Sequence, residues 1–171
     1  MEVIHSDLSA RQFLVDKNRN LRLSDFCGSS LQGSEAIVME NTTHFLPRDE
    51  NLPNTIQSDL FALGCTIYEI LLGRRPYEGM DDEDIQRLYS EKSFPGLDGI
   101  EEEYWRDVIE KCWLCEYERA TDILGDIPYI SCIEYGRLEI ARVGRLISGL
   151  WKRMQGRRPH RQASLWGHQE V

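Results

Sequence analysis

The sequence predicts a mainly α-helical fold with one small β-hairpin near its start, and three observations carry that expectation. An almost unbroken apolar run lies between Ser58 and Gly73. Ile100, Tyr104, Trp105, Val108, Ile109, Cys112 and Trp113 recur at spacings of four and one, the pattern of one apolar helix face. Two short apolar-rich segments, Phe13-Leu14-Val15 and Leu21-Arg22-Leu23, flank the polar run from Asp16 to Asn20, a hairpin signal.

Each element has a local reason. The hairpin needs a polar turn between its two arms, and 16–20 supplies one. The run 58–72 has helix logic at both ends: Ser58 is an N-cap candidate, Asp59 sits favourably in the first turn, and Gly73 provides a stop. Phe61, Leu63, Ile67, Ile70 and Leu71 are expected to be largely buried there. Asp81-Asp82-Glu83-Asp84 then precedes Ile85, Leu88 and Tyr89, an acidic helix start followed by an apolar face. The last clear amphipathic helix covers 100–113.

Two aspartates stand out chemically. Asp7 and Asp25 are eighteen residues apart on either side of the hairpin, so its two open ends can bring their carboxylates to one site. Phosphoryl transfer uses such a pair, one carboxylate orienting the attacking hydroxyl and the other holding magnesium against the phosphates. The plainer reading is that one Asp caps a helix and the other closes a turn.

The full strings favour the first reading. His5-Ser-Asp-Leu-Ser-Ala-Arg-Gln12 and Leu23-Ser-Asp-Phe-Cys-Gly28 resemble the catalytic loop and the metal-binding motif of eukaryotic-type protein kinases. Ser58 to Gly73, with Arg74-Arg75-Pro76-Tyr77 after it, resembles the central helix of the kinase C-terminal lobe, and Lys111-Cys112-Trp113 resembles a late helix of that lobe. The resemblance covers roughly 1–124. It implies a kinase-like C-terminal lobe with a small β-hairpin and no N-terminal lobe. It also implies Asp7 as catalytic base, Arg11 as a substrate- or phosphate-positioning residue, and Asp59 as organiser of the catalytic loop. Asp25 and Gln12 become the ATP-side and magnesium ligands.

Departures from the family pattern accompany the match. Ser6 replaces the arginine that usually binds an activation-segment phosphate, and Gln12 stands in place of asparagine. Cys27 separates Phe26 from Gly28. The activation segment, from Asp25 to about Pro47, offers Ser29, Ser30, Ser34, Thr42 and Thr43, but no switch is expected to work through Ser6. Arg48 falls where a glutamate would pair with a late arginine, so a charge-exchanged contact with Glu116 or Glu118 is expected. Neither a glycine-rich phosphate cover nor a strand lysine for the α/β-phosphates is found.

Composition bounds the rest. With 171 residues and 41% hydrophobic content, the chain can form one core. No run is long and apolar enough for a membrane span, and the first residues lack a signal-peptide pattern. Five scattered cysteines suggest a reducing intracellular setting, the cytoplasm; Cys112 and Cys115 read as helix cysteines rather than a zinc pair. Residues 1–126 hold 12 Lys/Arg against 26 Asp/Glu, a net −14, and 127–171 hold 8 against 3, a net +5. The acidic body argues against a nucleic-acid partner.

Two regions follow, a kinase-like lobe over 1–124 and a basic tail over 125–171. In the tail, Val143, Leu146, Ile147, Leu150, Trp151 and Met154 form an apolar stripe among basic residues, suited to an acidic partner; its end, 155–171, is expected to be disordered. The expected function is that of a protein kinase family member, an ATP- and magnesium-dependent phosphotransferase represented by its C-terminal lobe and inactive as this isolated chain. The alternatives are a pseudokinase-like scaffold that binds a protein or the missing N-terminal lobe, and a gene fragment without independent function.

Overall fold

The computed structural model describes residues 3–18, 20–49 and 51–128; the basic tail and its apolar stripe lie outside the described residues. Four short strands come first: β1 (Val3–Ile4), β2 (Phe13–Val15), β3 (Leu21–Leu23) and β4 (Ser30–Leu31). Strands β2 and β3 form the expected hairpin, with Phe13 opposite Leu23 and Val15 opposite Leu21. Its turn is built on Asp16, whose carboxylate accepts the amides of Asn18 and Asn20 at 2.8 and 2.9 Å. The Asn20 backbone bond in particular holds that carboxyl below its usual range. Strand β4 returns antiparallel to β1, Ile4 opposite Ser30, which closes the chain between them into a compact loop.

Four α-helices follow among the described residues: α1 (Ile56–Leu72), α2 (Asp82–Ser90), α3 (Glu103–Trp113) and α4 (Ile123–Asp126). Helix α1 starts two residues earlier than the sequence suggests. Thr55, not Ser58, is its N-cap; Ser58 is the third helical residue and returns the bond, its hydroxyl accepting the Thr55 amide at 3.0 Å. Such a reciprocal cap satisfies two amides that the first turn leaves without partners. Gly73 ends the helix in the left-handed region at φ 69°, as its lack of a Cβ allows.

Helices α1 and α3 pack face to face, and Gly64 permits it. A Cβ there would stand 2.7 Å from the Cys112 Cβ and 3.3 Å from the Ile109 carbonyl. On one side of this crossing Phe61, Cys65, Tyr68, Ile85, Tyr89, Ile100, Ile109 and Trp113 form an aromatic-rich core. On the other, Leu60, Val108, Cys112, Tyr117 and Ile123 form a second cluster. Tyr89 meets Phe61 edge-on at 5.0 Å, and Phe94 stacks on Trp113 at 5.2 Å.

The burial expected along α1 needs correction. Phe61 is buried, but Leu63, Ile67, Ile70 and Leu71 are only half-buried. Positions 61, 65 and 68 make one helical stripe and 60 and 64 another, and these face the partners. Residues 63, 67 and 70 form the next stripe, at the rim. Ile100 is buried but precedes α3, its amide closing a turn on Leu97. Packing continues through Ile127, which lies against the second cluster, and Asp126 accepts both Lys111 Nζ at 2.9 Å and Tyr117 Oη at 2.7 Å.

Candidate functional site

The loop 5–12 is pinned to α1 by one carboxylate. Asp59 Oδ2 accepts the His5 amide at 2.6 Å and Oδ1 accepts the Ser6 amide at 2.9 Å. Burial pushes the Asp59 carboxyl above its usual range, opposed by these two amides. The bonds hold Ser6 at φ 71°, a left-handed conformation costly for a residue with a Cβ. The next residue, Asp7, is thereby presented at the start of the loop.

Asp7 is half-buried, and three donor contacts converge on it. Arg11 Nη2 lies 3.0 and 2.8 Å from its two oxygens, and Gln12 Nε2 donates to Oδ2 at 3.0 Å. Gln12 itself is buried, its amide oxygen accepting Ser9 Oγ at 2.6 Å and Arg11 Nε at 3.3 Å. A carboxylate oxygen has two lone-pair positions, so Oδ1 retains capacity for one further donor, such as a hydroxyl.

Asp25 reaches the same neighbourhood through backbone. Ser24 donates its amide and its hydroxyl to the Gln12 carbonyl at 3.0 and 2.9 Å. His5 Nε2 donates to the Ser24 carbonyl at 2.9 Å, and the His5 ring meets Phe26 edge-on at 5.0 Å. Asp25 follows at φ 67° with an exposed side chain. Gly28 is required two residues after Phe26, because a Cβ there would come within 2.3 Å of the Val38 side chain.

The donor set fits magnesium through one residue. Magnesium is commonly held by one or two carboxylates together with substrate phosphates, and Asp25 offers an exposed carboxylate of that kind. Gln12, the other ligand expected from sequence, directs its amide nitrogen at Asp7 and has its oxygen engaged. Among the described residues no group of three or more His, Cys, Asp or Glu could hold a metal. Cys112 is buried, its thiol pushed up to about 12 by desolvation, and Cys115 lies half-buried just beyond α3. Two surface hollows, of about 610 and 360 Å³, are lined by Met80–Glu83 and by residues around Tyr89 and Phe94. Asp7, Gln12 and Asp25 line neither.

Two buried constellations escaped the sequence reading. Arg48 does not meet Glu116 or Glu118. Its Nη2 donates to Glu40 Oε2 at 2.8 Å and to Asn54 Oδ1 at 2.6 Å, and its guanidinium lies 4.3 Å over the Phe45 ring. Glu40 is eight residues away in the same segment, close enough to satisfy the charge before the late acids can. The second constellation is His44 with Glu69, Nε2 to Oε2 at 3.6 Å. Burial, helped by the charges of Arg75 and Arg11, holds His44 down at about 3, and burial pushes Glu69 up. The family pattern singles out Arg48, but polar residues scattered through 40–54 carry no periodicity, so no sequence signal marks Glu40, Asn54 or His44 as members of these constellations.

Comparison with known proteins completes the description. Residues 1–122 match the family described as protein tyrosine and serine/threonine kinase. The chain is 26% identical over 149 residues to protein kinase C delta type of Homo sapiens, covering 82% of this chain and 22% of that protein. It is 25% identical over 135 residues to the dual specificity protein kinase pyk3 of Dictyostelium discoideum, covering 74% of this chain and 10% of that one. The chain thus spans less than a quarter of either relative. The Cydia pomonella granulovirus kinase PK-1 has a similar fold, with TM-score 0.57 and 21% identity, over 75% of this chain and 51% of that one.

Proposed function

Since the chain belongs to the protein tyrosine and serine/threonine kinase family, we propose that it is the C-terminal lobe of a protein phosphotransferase, with the transfer site at Asp7 and Asp25. Asp7 accepts the hydrogen of the attacking hydroxyl at Oδ1, Arg11 holds the carboxylate's orientation, and Asp59 positions the loop that carries both. Asp25 would hold magnesium, which when bound neutralises charge on the phosphates of ATP. Gln12 would join it as a ligand only after its amide turns away from Asp7. The observation that carries this reading is the Asp59 clamp on the His5 and Ser6 amides: a half-buried carboxylate holding a strained loop presents Asp7.

The same reading makes 1–171 a poor enzyme by itself. Its described residues build no nucleotide cover over Asp25, so the γ-phosphate lacks a fixed line of attack. Orientation of that kind is worth about 7–11 kcal/mol of barrier. Purified 1–171 with magnesium and ATP is expected to show no phosphate transfer above that of Asp7→Asn. Robust transfer that vanishes in Asp7→Asn would overturn the inactivity and establish Asp7 as catalytic.

A second reading, a kinase-like binding module, is favoured by one observation. Leu14, Val15, Leu21 and Phe26 are exposed around the hairpin, a surface suited to a protein partner or to an N-terminal lobe. On either reading we assign the chain to the cytoplasm, from its thiols, and divide it into the lobe and a basic tail suited to an acidic partner.

A further inference from the structure

The segment from Gly28 to Pro47 meets the Asp7 loop, Ser29 Oγ donating to the His5 carbonyl and Asn54 bridging Val38 and Ser6, and what holds it there is visible. Glu40 and Arg48 form an ion pair with side-chain exposures of 0% and 9%. It ties Glu40, inside the segment, to Arg48, the first residue beyond it, and Arg48 Nη1 also donates back to the Leu46 carbonyl at 3.2 Å. The shared Nη2 donor continues to Asn54, whose Nδ2 lies 3.4 Å from both the Ser6 and the Val38 carbonyls. Asn54 therefore touches the ion pair, the segment and the residue immediately before Asp7. Three of the hydroxyls along the segment donate within the fold: Ser29 Oγ to the His5 carbonyl, Ser30 Oγ to the Ser34 carbonyl, and Thr43 Oγ1 to Asn41.

We propose that Glu40, Arg48 and Asn54 form a permanent latch that orders this segment against the Asp7 loop without phosphorylation. Glu40 supplies from within the chain the negative charge that a phosphate would otherwise bring, and Arg48 supplies the cation that Ser6 lacks. A buried ion pair is costly to break because the surviving charge is left without a partner, so the segment has one ordered arrangement rather than two. Arg48 and Asn54 are positioning residues: neither touches the reacting atoms, and both act on Asp7 through the Ser6 carbonyl. The regulatory meaning rests on the phosphotransferase reading, whereas the latch itself does not.

Hydrogen exchange tests it on the full chain 1–171, with intact mass confirming that no phosphate is attached. Residues 5–8 and 38–48 should be protected in the unmodified protein. Glu40→Gln and Arg48→Met should each speed exchange in both stretches about tenfold or more while α3, 103–113, is unchanged, as expected of a local opening. Asn54→Ala should act on 5–8 and spare 42–48, and Arg48→Lys should retain part of the protection. Should Arg48→Met fail to fold, Glu40→Leu/Arg48→Met removes both charges at similar volume and should still leave 5–8 unprotected. Full exchange of 38–48 in the unphosphorylated protein would overturn the latch. So would equal acceleration in α3, or protection untouched by every variant. Protected segments with no phosphate transfer in any assembly would sink the enzyme reading and leave the latch standing.

Discussion

Asp59 shows how much one side chain decides. It is a first-turn residue of α1, and as such is stabilised by the helix dipole, yet both of its oxygens point away to the His5 and Ser6 amides. Asp59→Ala would leave two amides without partners in a largely buried place, at about 1–3 kcal/mol each. Urea unfolding is expected to show a lowered midpoint with an unchanged slope, and Asp59→Asn, which keeps one acceptor, should lose less. The family resemblance already made Asp59 the organiser of the catalytic loop, but it did not say which amides the carboxylate holds. Its partners lie 54 and 53 residues away, and no local spacing encodes them. Arg48 teaches the reverse lesson. Its place in the family pattern implied an acidic partner, but the choice of Glu40 over Glu116 or Glu118 was made by where the segment folds back.

At the scale of elements, α1 is the axis of the molecule, and its ends and its middle have different physics. The Thr55–Ser58 cap is local, and Thr55→Ala should cost about 0.5–2 kcal/mol. Gly64 is tertiary. Gly64→Ala improves helix propensity by roughly 1 kcal/mol, but the added methyl would collide with the Cys112 Cβ and crowd the Ile109 carbonyl. A well-packed contact between helices resists such insertion by about 1–3 kcal/mol. Thermal unfolding should therefore place Gly64→Ala at or below wild type, whereas a clear rise in midpoint would show that α1 and α3 separate easily. The helices were legible because their apolar residues recur with the period of the helix. Which stripe of α1 is deepest was not, since an all-apolar run satisfies every stripe equally.

Across the whole molecule, buried His44 beside half-buried Glu69 couples stability to pH. His44 is held neutral in the fold down to about 3, against an ordinary value of 6.5. Below pH 6.5 the unfolded chain binds a proton that the folded chain refuses, so stability is complete above 6.5 and falls as pH drops. Between pH 7.5 and 5.5 the loss should be about 1.4 kcal/mol. Glu69, pushed above 4.5, acts in the opposite direction at lower pH, because the folded state keeps its proton longer. Unfolding free energies at pH 7.5 and 5.5 check this, and His44→Gln should flatten the difference. An unchanged slope in that variant would place the titration elsewhere.

The sequence by itself determined the fold class, the hairpin, the order of the first three helices and the two carboxylates of the proposed site. These depend on local periodicity, on turn chemistry and on two short strings read against a family pattern. Only the tertiary structure decided which amides Asp59 holds, where Gln12 turns its oxygen, and that Glu40 and Asn54 complete Arg48. Each of those outcomes depends on chain segments brought together by the packing of α1 against α3 and of β1 against β4. Hydrogen bonds and ion pairs between such segments are selected by burial and distance, which a linear pattern does not record.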